Sequence, residues 1–106
     1  MTTRTKGARM NPLDRKNQIL EAAIQISLEK GYRQLTRRAV ASRMQCASSL
    51  INHYFVNIEE LRSCVLQTAM ERELLPILAE NFARKGPETL KLEPRLQERV
   101  VYYLTN

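Results

Sequence analysis

The stretch that decides the fold spans residues 31–61 and reads GYRQLTRRAVASRMQCASSLINHYFVNIEEL. Thr36 is suited to cap a short helix that extends to Met44, because a threonine hydroxyl accepts a hydrogen bond from a free amide of the first turn. After a three-residue turn, a second short helix is predicted at 48–54, with Ile51 on its apolar side. Two short helices joined by so tight a turn favour a helix-turn-helix arrangement.

A longer helix is predicted in front of this pair. Asn11 followed by Pro12 is a helix start signal, since asparagine caps a helix and proline fits its first turn. Apolar residues then recur at helical spacing up to Lys30. Gly31 follows, and its missing β-carbon suits a point where the chain leaves the helix in a left-handed conformation.

Helical periodicity also continues after the pair. Asn57 and Glu60 have the spacing of a capping box, which predicts a fourth helix from Ile58. Pro76 should break or kink that helix, because proline lacks an amide hydrogen and clashes with the preceding turn. A last helix is predicted at 94–104. The predicted fold is therefore all-α: a three-helix head, a long fourth helix and a short C-terminal helix.

Composition limits the class of protein. With 106 residues, 43% of them hydrophobic, the chain has enough apolar side chains for the modest core of one domain. It has no run of about 18 apolar residues that could span a membrane. Residues 1–10 are polar and basic without an apolar stretch behind them, so we expect no signal peptide and a cytoplasmic location. Cys46, Cys64 and His53 lack zinc-site spacing, and we expect packing cysteines, no metal and no cofactor.

Positive charge is concentrated at one end of the chain. Residues 1–45 contain ten Lys/Arg and three Asp/Glu, whereas residues 46–106 contain seven and eight, so the first part holds the whole excess of the +6 chain. Such asymmetry favours contact between one end and a polyanion. A basic, solvated face that maintains solubility is the other interpretation, and charge alone does not separate the two.

Residues 15–61 resemble the N-terminal DNA-binding domain of the tetracycline-repressor (TetR) family of bacterial transcription regulators. The matching segments are ILEAA at 19–23, GY at 31–32, LTRRAVA at 35–41, SLINHYF at 49–55 and EEL at 59–61. The resemblance implies that the helix at 48–54 lies in the major groove of DNA while the preceding helix crosses the backbone. It also implies that Thr36 meets a phosphate and that Arg38 reaches bases as well as backbone.

The residues themselves agree with that docking. Ile51 and Phe55 should point back into a small core with Ile19, Ala23 and Val40, which leaves short or planar polar side chains on the outward side. An asparagine there can pair with adenine through two hydrogen bonds. The predicted DNA-binding residues are Thr36, Arg37, Arg38, Arg43, Ser48, Ser49, Asn52, His53 and Tyr54. Arg33 and the basic arm at 1–10 add positive charge around them.

Four positions depart from the family pattern. Gln45 stands where the turn usually has glycine, and Asn52 stands where the reading helix usually has tyrosine. Ile58 replaces a phosphate-binding lysine at the start of the fourth helix, and Ser27 replaces an aromatic residue. The fold prediction does not depend on these positions, but the individual DNA contacts do.

We therefore expect a flexible arm at 1–10, a DNA-binding domain at 11–57 and a helical dimerisation region at 58–106. The resemblance implies a homodimeric repressor on a palindromic operator, with two reading helices about 34 Å apart. So short a second part predicts no small-molecule effector and a compact source such as a plasmid or phage. A ligand-sensing regulator and a protein-interaction module that never touches DNA are the alternatives. An enzyme is least favoured, since no catalytic motif occurs.

Apolar residues of the second half exceed the needs of a few short helices. They are candidates for a dimer interface, with packing inside the chain as the competing interpretation. The candidates are Leu74, Leu75, Ile77, Leu78, Phe82, Leu96, Val100, Val101, Tyr103 and Leu104.

Overall fold

The computed structural model describes residues 12–85 and 92–105. Its helices are α1 (Pro12–Lys30), a 3-10 turn (Tyr32–Gln34), α2 (Arg37–Met44), α3 (Ser48–Tyr54), α4 (Ile58–Arg72), α5 (Leu75–Lys85) and α6 (Pro94–Thr105). No strand occurs in these two ranges, and the all-α prediction is confirmed. No helix within them is long and apolar enough to cross a membrane. The predicted basic arm at 1–10 and the capping residue Asn11 lie outside the described residues.

Helices α1, α2 and α3 enclose a small core, as predicted. Ile51 of α3 and Phe55, which directly follows α3, are at most 2% exposed, and they belong to the same buried cluster as Ile19, Ala23 and Val40. Burying an aromatic ring and branched aliphatic side chains is the main source of stability in so small a head. The outward face of α3 is therefore fixed by what its inward face buries.

The predicted helix caps are confirmed. Thr36 Oγ1 accepts a hydrogen bond from the amide of Ala39 at 3.0 Å, and Asn57 Oδ1 accepts one from the amide of Glu60 at 2.9 Å. The Glu60 carboxylate reaches back to the amide of Val56 at 2.7 Å, one residue before the cap. These bonds satisfy amides that the first turn of a helix leaves free.

Residues with positive φ follow both α1 and α2. Gln45, after α2, has φ 58° and ψ 46°, so the tight turn keeps the left-handed conformation although glycine is absent. Gly31 has φ 102° as expected, but its ψ of 147° lies outside the left-handed helical region. Only glycine adopts that combination readily, whereas Gln45 carries a steric penalty.

Replacing Gln45 with glycine should raise the free energy of unfolding. A left-handed residue with a side chain is disfavoured by roughly 1–2 kcal/mol, and glycine returns about 0.4–1 kcal/mol of this through a more flexible unfolded chain. We expect a net gain of about 0.5–1 kcal/mol in urea unfolding followed by circular dichroism. Ser42→Gly, within regular helix, is the matched control and should lose about 0.5 kcal/mol. A lower free energy of unfolding in both variants would contradict the steric penalty at Gln45.

The fourth helix is interrupted close to Pro76, as predicted, but the interruption precedes the proline and does not result from it. Helix α4 ends at Arg72, and Glu73 is left-handed with φ 55°. The amide of Leu74 closes this end on the carbonyl of Ala69 at 2.8 Å. Pro76 then lies in the first turn of α5, where an amide hydrogen would have no helical partner in any case. The region therefore contains two helices joined by a sharp corner.

Glu73 also holds the last helix at this corner. Its carboxylate forms ion pairs with Arg95, at 3.1 Å, and with Arg99. Both arginines lie on α6, which packs mainly against α5. Because the Arg95 and Arg99 side chains are 68% and 46% exposed, these pairs link α4 to α6 at the surface and contribute little to the free energy of folding.

Helix α5 is fastened to the three-helix head. Glu80 Oε1 accepts a hydrogen bond from the amide of Tyr32 at 2.7 Å, and Oε2 accepts one from the amide of Arg33 at 3.0 Å. These amides begin the 3-10 turn that leads into α2. Leu61 of α4 and Ile77 of α5 are fully buried in the same apolar cluster as the head. Helices α1 to α5 therefore share one continuous core.

Packing inside the chain accounts for part of the predicted interface set. Ile77, Leu78, Leu96 and Val100 are buried within the chain, so they are not available to a partner. Leu74, Leu75 and Phe82 are half-buried against the core. The exposed members are Val101, Tyr103 and Leu104, and Tyr102, which the prediction omitted, is exposed beside them.

Candidate nucleic-acid interface

The outward face of α3 is polar and accessible. Ser48, Ser49, Asn52 and His53 are all exposed, whereas Ile51 between them is 1% exposed. The helix is therefore divided sharply into a buried apolar side and a solvated side of short or planar groups. Such groups donate and accept hydrogen bonds at the depth of base edges in a major groove.

Asn52 is linked to the preceding helix. Arg37 Nη1, in the first turn of α2, donates a hydrogen bond to Asn52 Oδ1 at 2.7 Å. Both side chains are exposed, so the link lies on the surface. Two predicted DNA-binding residues from different helices thus form a single polar unit.

A cleft lies where the beginnings of α2, α3 and α4 meet. It has a volume of about 350 Å³, and its lining residues are Thr36, Arg37, Arg38, Ser48, Ile58 and Arg62. The first turn of a helix carries partial positive charge, and three arginines add full charges here. The Thr36 hydroxyl accepts from Ala39, so its own hydrogen is left to donate. The cleft is chemically suited to a phosphate oxygen.

Arg62 belongs to this cleft but was missed by sequence reasoning. Its Nη2 donates to the carbonyl of Leu35 at 2.9 Å, and its own carbonyl accepts the Tyr32 hydroxyl at 3.1 Å. It also pairs with Glu59 at 3.4 Å. These bonds fix the start of α4 against the segment that precedes α2. The one sequence signal that could have indicated Arg62 was Ile58. Because Ile58 stands where the family pattern has a lysine, a phosphate at this end of α4 would be contacted by a different cation.

Arg43 is occupied by a neighbour. Its guanidinium forms a two-pronged ion pair with Glu29 of α1, with Nη1 to Oε2 at 3.1 Å. Through this hydrogen bond Arg43 holds the pKa of Glu29 below its ordinary value. Arg43 lies at the far end of α2 from the cleft and stabilises the α1–α2 contact. Its proposed phosphate contact would require this pair to open.

Tyr54 and His53 close the end of α3. The two rings meet edge to face with centroids 4.8 Å apart, and Tyr54 is half-buried against the core. His53 is exposed. Arg33 and Arg38 are likewise exposed on neighbouring segments. The polar side of α3 is therefore bordered by arginine, and Glu29 is held by Arg43 at the far end of α2.

Sites for other chemistry are scarce in the described ranges. They contain no group of three or more His, Cys, Asp or Glu side chains that could hold a metal ion. Cys46 and Cys64 are free thiols, half-buried against the core. The predicted role of both cysteines in packing agrees with this placement.

Comparison with protein families gives a match in the first part of the chain. Residues 19–63 match the family model described as bacterial regulatory proteins, tetR family. The matched range begins in the middle of α1 and ends in the second turn of α4, so it contains α2, α3 and their turn. Searches of curated proteins and of solved structures found no match to the chain.

Proposed function

Because residues 19–63 match the tetR family model, we propose that the protein is a repressor that binds a palindromic operator as a homodimer. Helix α3 reads bases in the major groove, and the cleft at the beginnings of α2 and α4 holds a backbone phosphate. The observation that carries the proposal is the exposed set Ser48, Ser49, Asn52 and His53 beside that cationic cleft. Such backbone contacts orient the protein, and the groove-facing side chains select the sequence.

The proposed partner subunit is a second copy that packs on α6. Val101, Tyr102, Tyr103 and Leu104 are between 41% and 70% exposed, and they follow one another at the end of this helix. Beside them is a groove of about 960 Å³, whose lining includes Leu75, Glu98 and Arg99. Glu98 and Arg99 carry opposite charges, which suits a surface that meets itself across a twofold axis.

We propose that operator binding needs no small-molecule inducer. The α6 groove, with a volume of about 960 Å³, is an open surface feature rather than an enclosed chamber. Drug-sized ligands bind where most of their surface is covered by protein. The lining of the α6 groove is mainly apolar, as expected of a surface that packs against a second copy.

Titration with duplex DNA at several salt concentrations tests the function. Each phosphate that the protein neutralises contributes about −0.9 to the slope of log K against log salt. We expect Arg38→Ala to weaken binding to every duplex and to flatten the slope by about 0.9 per subunit. Arg95→Ala is the control, because it removes an equal charge from α6, where the side chain is 68% exposed.

The same titration distinguishes the proposed function from the main alternative, a protein-interaction module. Such a module would show no salt-dependent affinity for duplex DNA, and Arg38→Ala and Arg95→Ala would then have the same effect on the titration. Equal slopes for the wild type and both variants would remove the backbone cleft from the proposal.

A further inference from the structure

We infer that Arg37 and Asn52 act together as one reader that selects guanine, rather than as a phosphate contact and an adenine contact. The inference rests on the proposed function and specifies what α3 recognises. It starts from the hydrogen bond of 2.7 Å between Arg37 Nη1 and Asn52 Oδ1. The two residues come from different helices, so the pairing is a product of how α2 packs against α3.

The chemistry of the pair fixes the orientation of the asparagine amide. Arginine has only donors, so the Asn52 atom that faces it must be the carbonyl oxygen and not the amino group. The amino group of Asn52 then makes no hydrogen bond within 12–85 and 92–105. The remaining guanidinium hydrogens of Arg37 are further donors on the same exposed surface. The pair therefore presents a face composed mainly of donors.

Base edges distinguish sharply between donor and mixed faces. Guanine offers two acceptors, O6 and N7, in the major groove, whereas adenine offers one acceptor and one donor. An isolated asparagine suits adenine because its carbonyl accepts from adenine N6 while its amino group donates to N7. Here Arg37 already occupies one of the two lone pairs of the Asn52 carbonyl, so the pair offers more donors than acceptors to a base. The complementary base is therefore guanine, and cytosine, which offers a donor, is the least suitable.

The link should persist in the complex. Hydrogen bonds from a charged donor are shorter and stronger than neutral ones, and they strengthen when the groove expels water. Arg37 lies in the first turn of α2 and Asn52 lies on the outward side of α3, so guanine can be approached without separating the helices. Arg37, although it also lines the cleft, is thus assigned to base recognition, and Thr36, Arg38 and Arg62 are left as the proposed backbone contacts.

Selection from a random pool of duplexes tests the inference. The wild-type protein should enrich guanine at the position whose preference Asn52→Ala relaxes. Arg37→Ala frees the Asn52 carbonyl, so its enriched sites should carry adenine there while the flanking positions stay the same. Arg95→Ala, on α6, should enrich the wild-type sequence. Circular dichroism of each variant checks that the helices are intact.

A second measurement addresses the contacted atom. Replacing that guanine with 7-deazaguanine removes the N7 acceptor and should weaken wild-type binding about 5- to 150-fold, the range for one good base contact. The Arg37→Ala variant is measured on a duplex that carries adenine at this position. Its affinity should not change when a guanine elsewhere in that duplex is replaced with 7-deazaguanine. This substitution alters one atom of the DNA and nothing in the protein, so a loss of binding cannot come from protein misfolding.

The outcomes separate the inference from the function. Enrichment of adenine by the wild type at that position, or an unchanged base for Arg37→Ala with uniformly weaker binding, would overturn the paired reader alone. Absence of salt-sensitive duplex binding by the wild type would overturn the proposed function and the reader with it.

Discussion

Replacing Phe55 with alanine should lower the free energy of unfolding by about 3–5 kcal/mol. The ring is 2% exposed and belongs to the core that joins α3 to α1 and α2. Lys16 of α1 also places its Nζ 5.1 Å from the ring centroid, adding a cation–π contact. Since small domains are stable by only about 5–15 kcal/mol, the variant should unfold at much lower urea concentrations.

The neighbouring residue is the control for Phe55. Val56 is 80% exposed, so Val56→Ala should change the free energy of unfolding by no more than about 0.5 kcal/mol. Urea unfolding followed by far-ultraviolet circular dichroism measures both variants. Similar free energies of unfolding for the two variants would mean that α3 is not packed on the core as described. The assignment of its outward face would then be wrong.

Placing a negative charge on the exposed end of α6 should sharply weaken operator binding. Tyr102 is 70% exposed and lines the groove proposed to receive a second subunit. Tyr102→Glu would bury an unpaired carboxylate in that interface, which dissociates the dimer. Linking two binding heads multiplies affinity by roughly 10²- to 10⁴-fold, so a two-half-site operator should lose a factor of that order.

Two measurements check the Tyr102 prediction. Analytical ultracentrifugation should show a dimer for the wild type and a monomer for the variant. Affinity for a duplex with a single half-site should stay the same, because the reading surface is untouched. Gln25→Glu, which adds the same charge to an exposed residue of α1, is the control and should stay dimeric. A monomeric wild type would contradict the α6 interface directly.

Local chemistry made the fold predictable. Thr36 and Asn57 cap helices through atoms only three residues away, so the sequence contains both partners of each bond. Helical spacing likewise placed Ile51 and Phe55 in the core. Pro76 shows where a local rule failed, because proline is unfavourable inside a helix but acceptable in its first turn. The end of α4 was set earlier, at Glu73.

Contacts between distant residues set the limits of the site prediction. The links Arg37–Asn52 and Arg43–Glu29 join residues 15 and 14 positions apart, and neither has a periodic signal. Arginine patterns alone could not tell that Arg43 is occupied or that Arg62 lines the cleft. The burial of Val100 beside exposed Val101 depended on how α6 lies against α5. The individual DNA contacts stay predictions.

The carboxylate of Glu80 has a consequence for building hybrid regulators from this chain. Because it caps the amides of Tyr32 and Arg33, the path into α2 depends on a side chain that lies beyond the matched range 19–63. A chimera that borrowed only the matched range would leave both amides without their carboxylate and uncover Leu61. The transplantable unit therefore extends at least through α5.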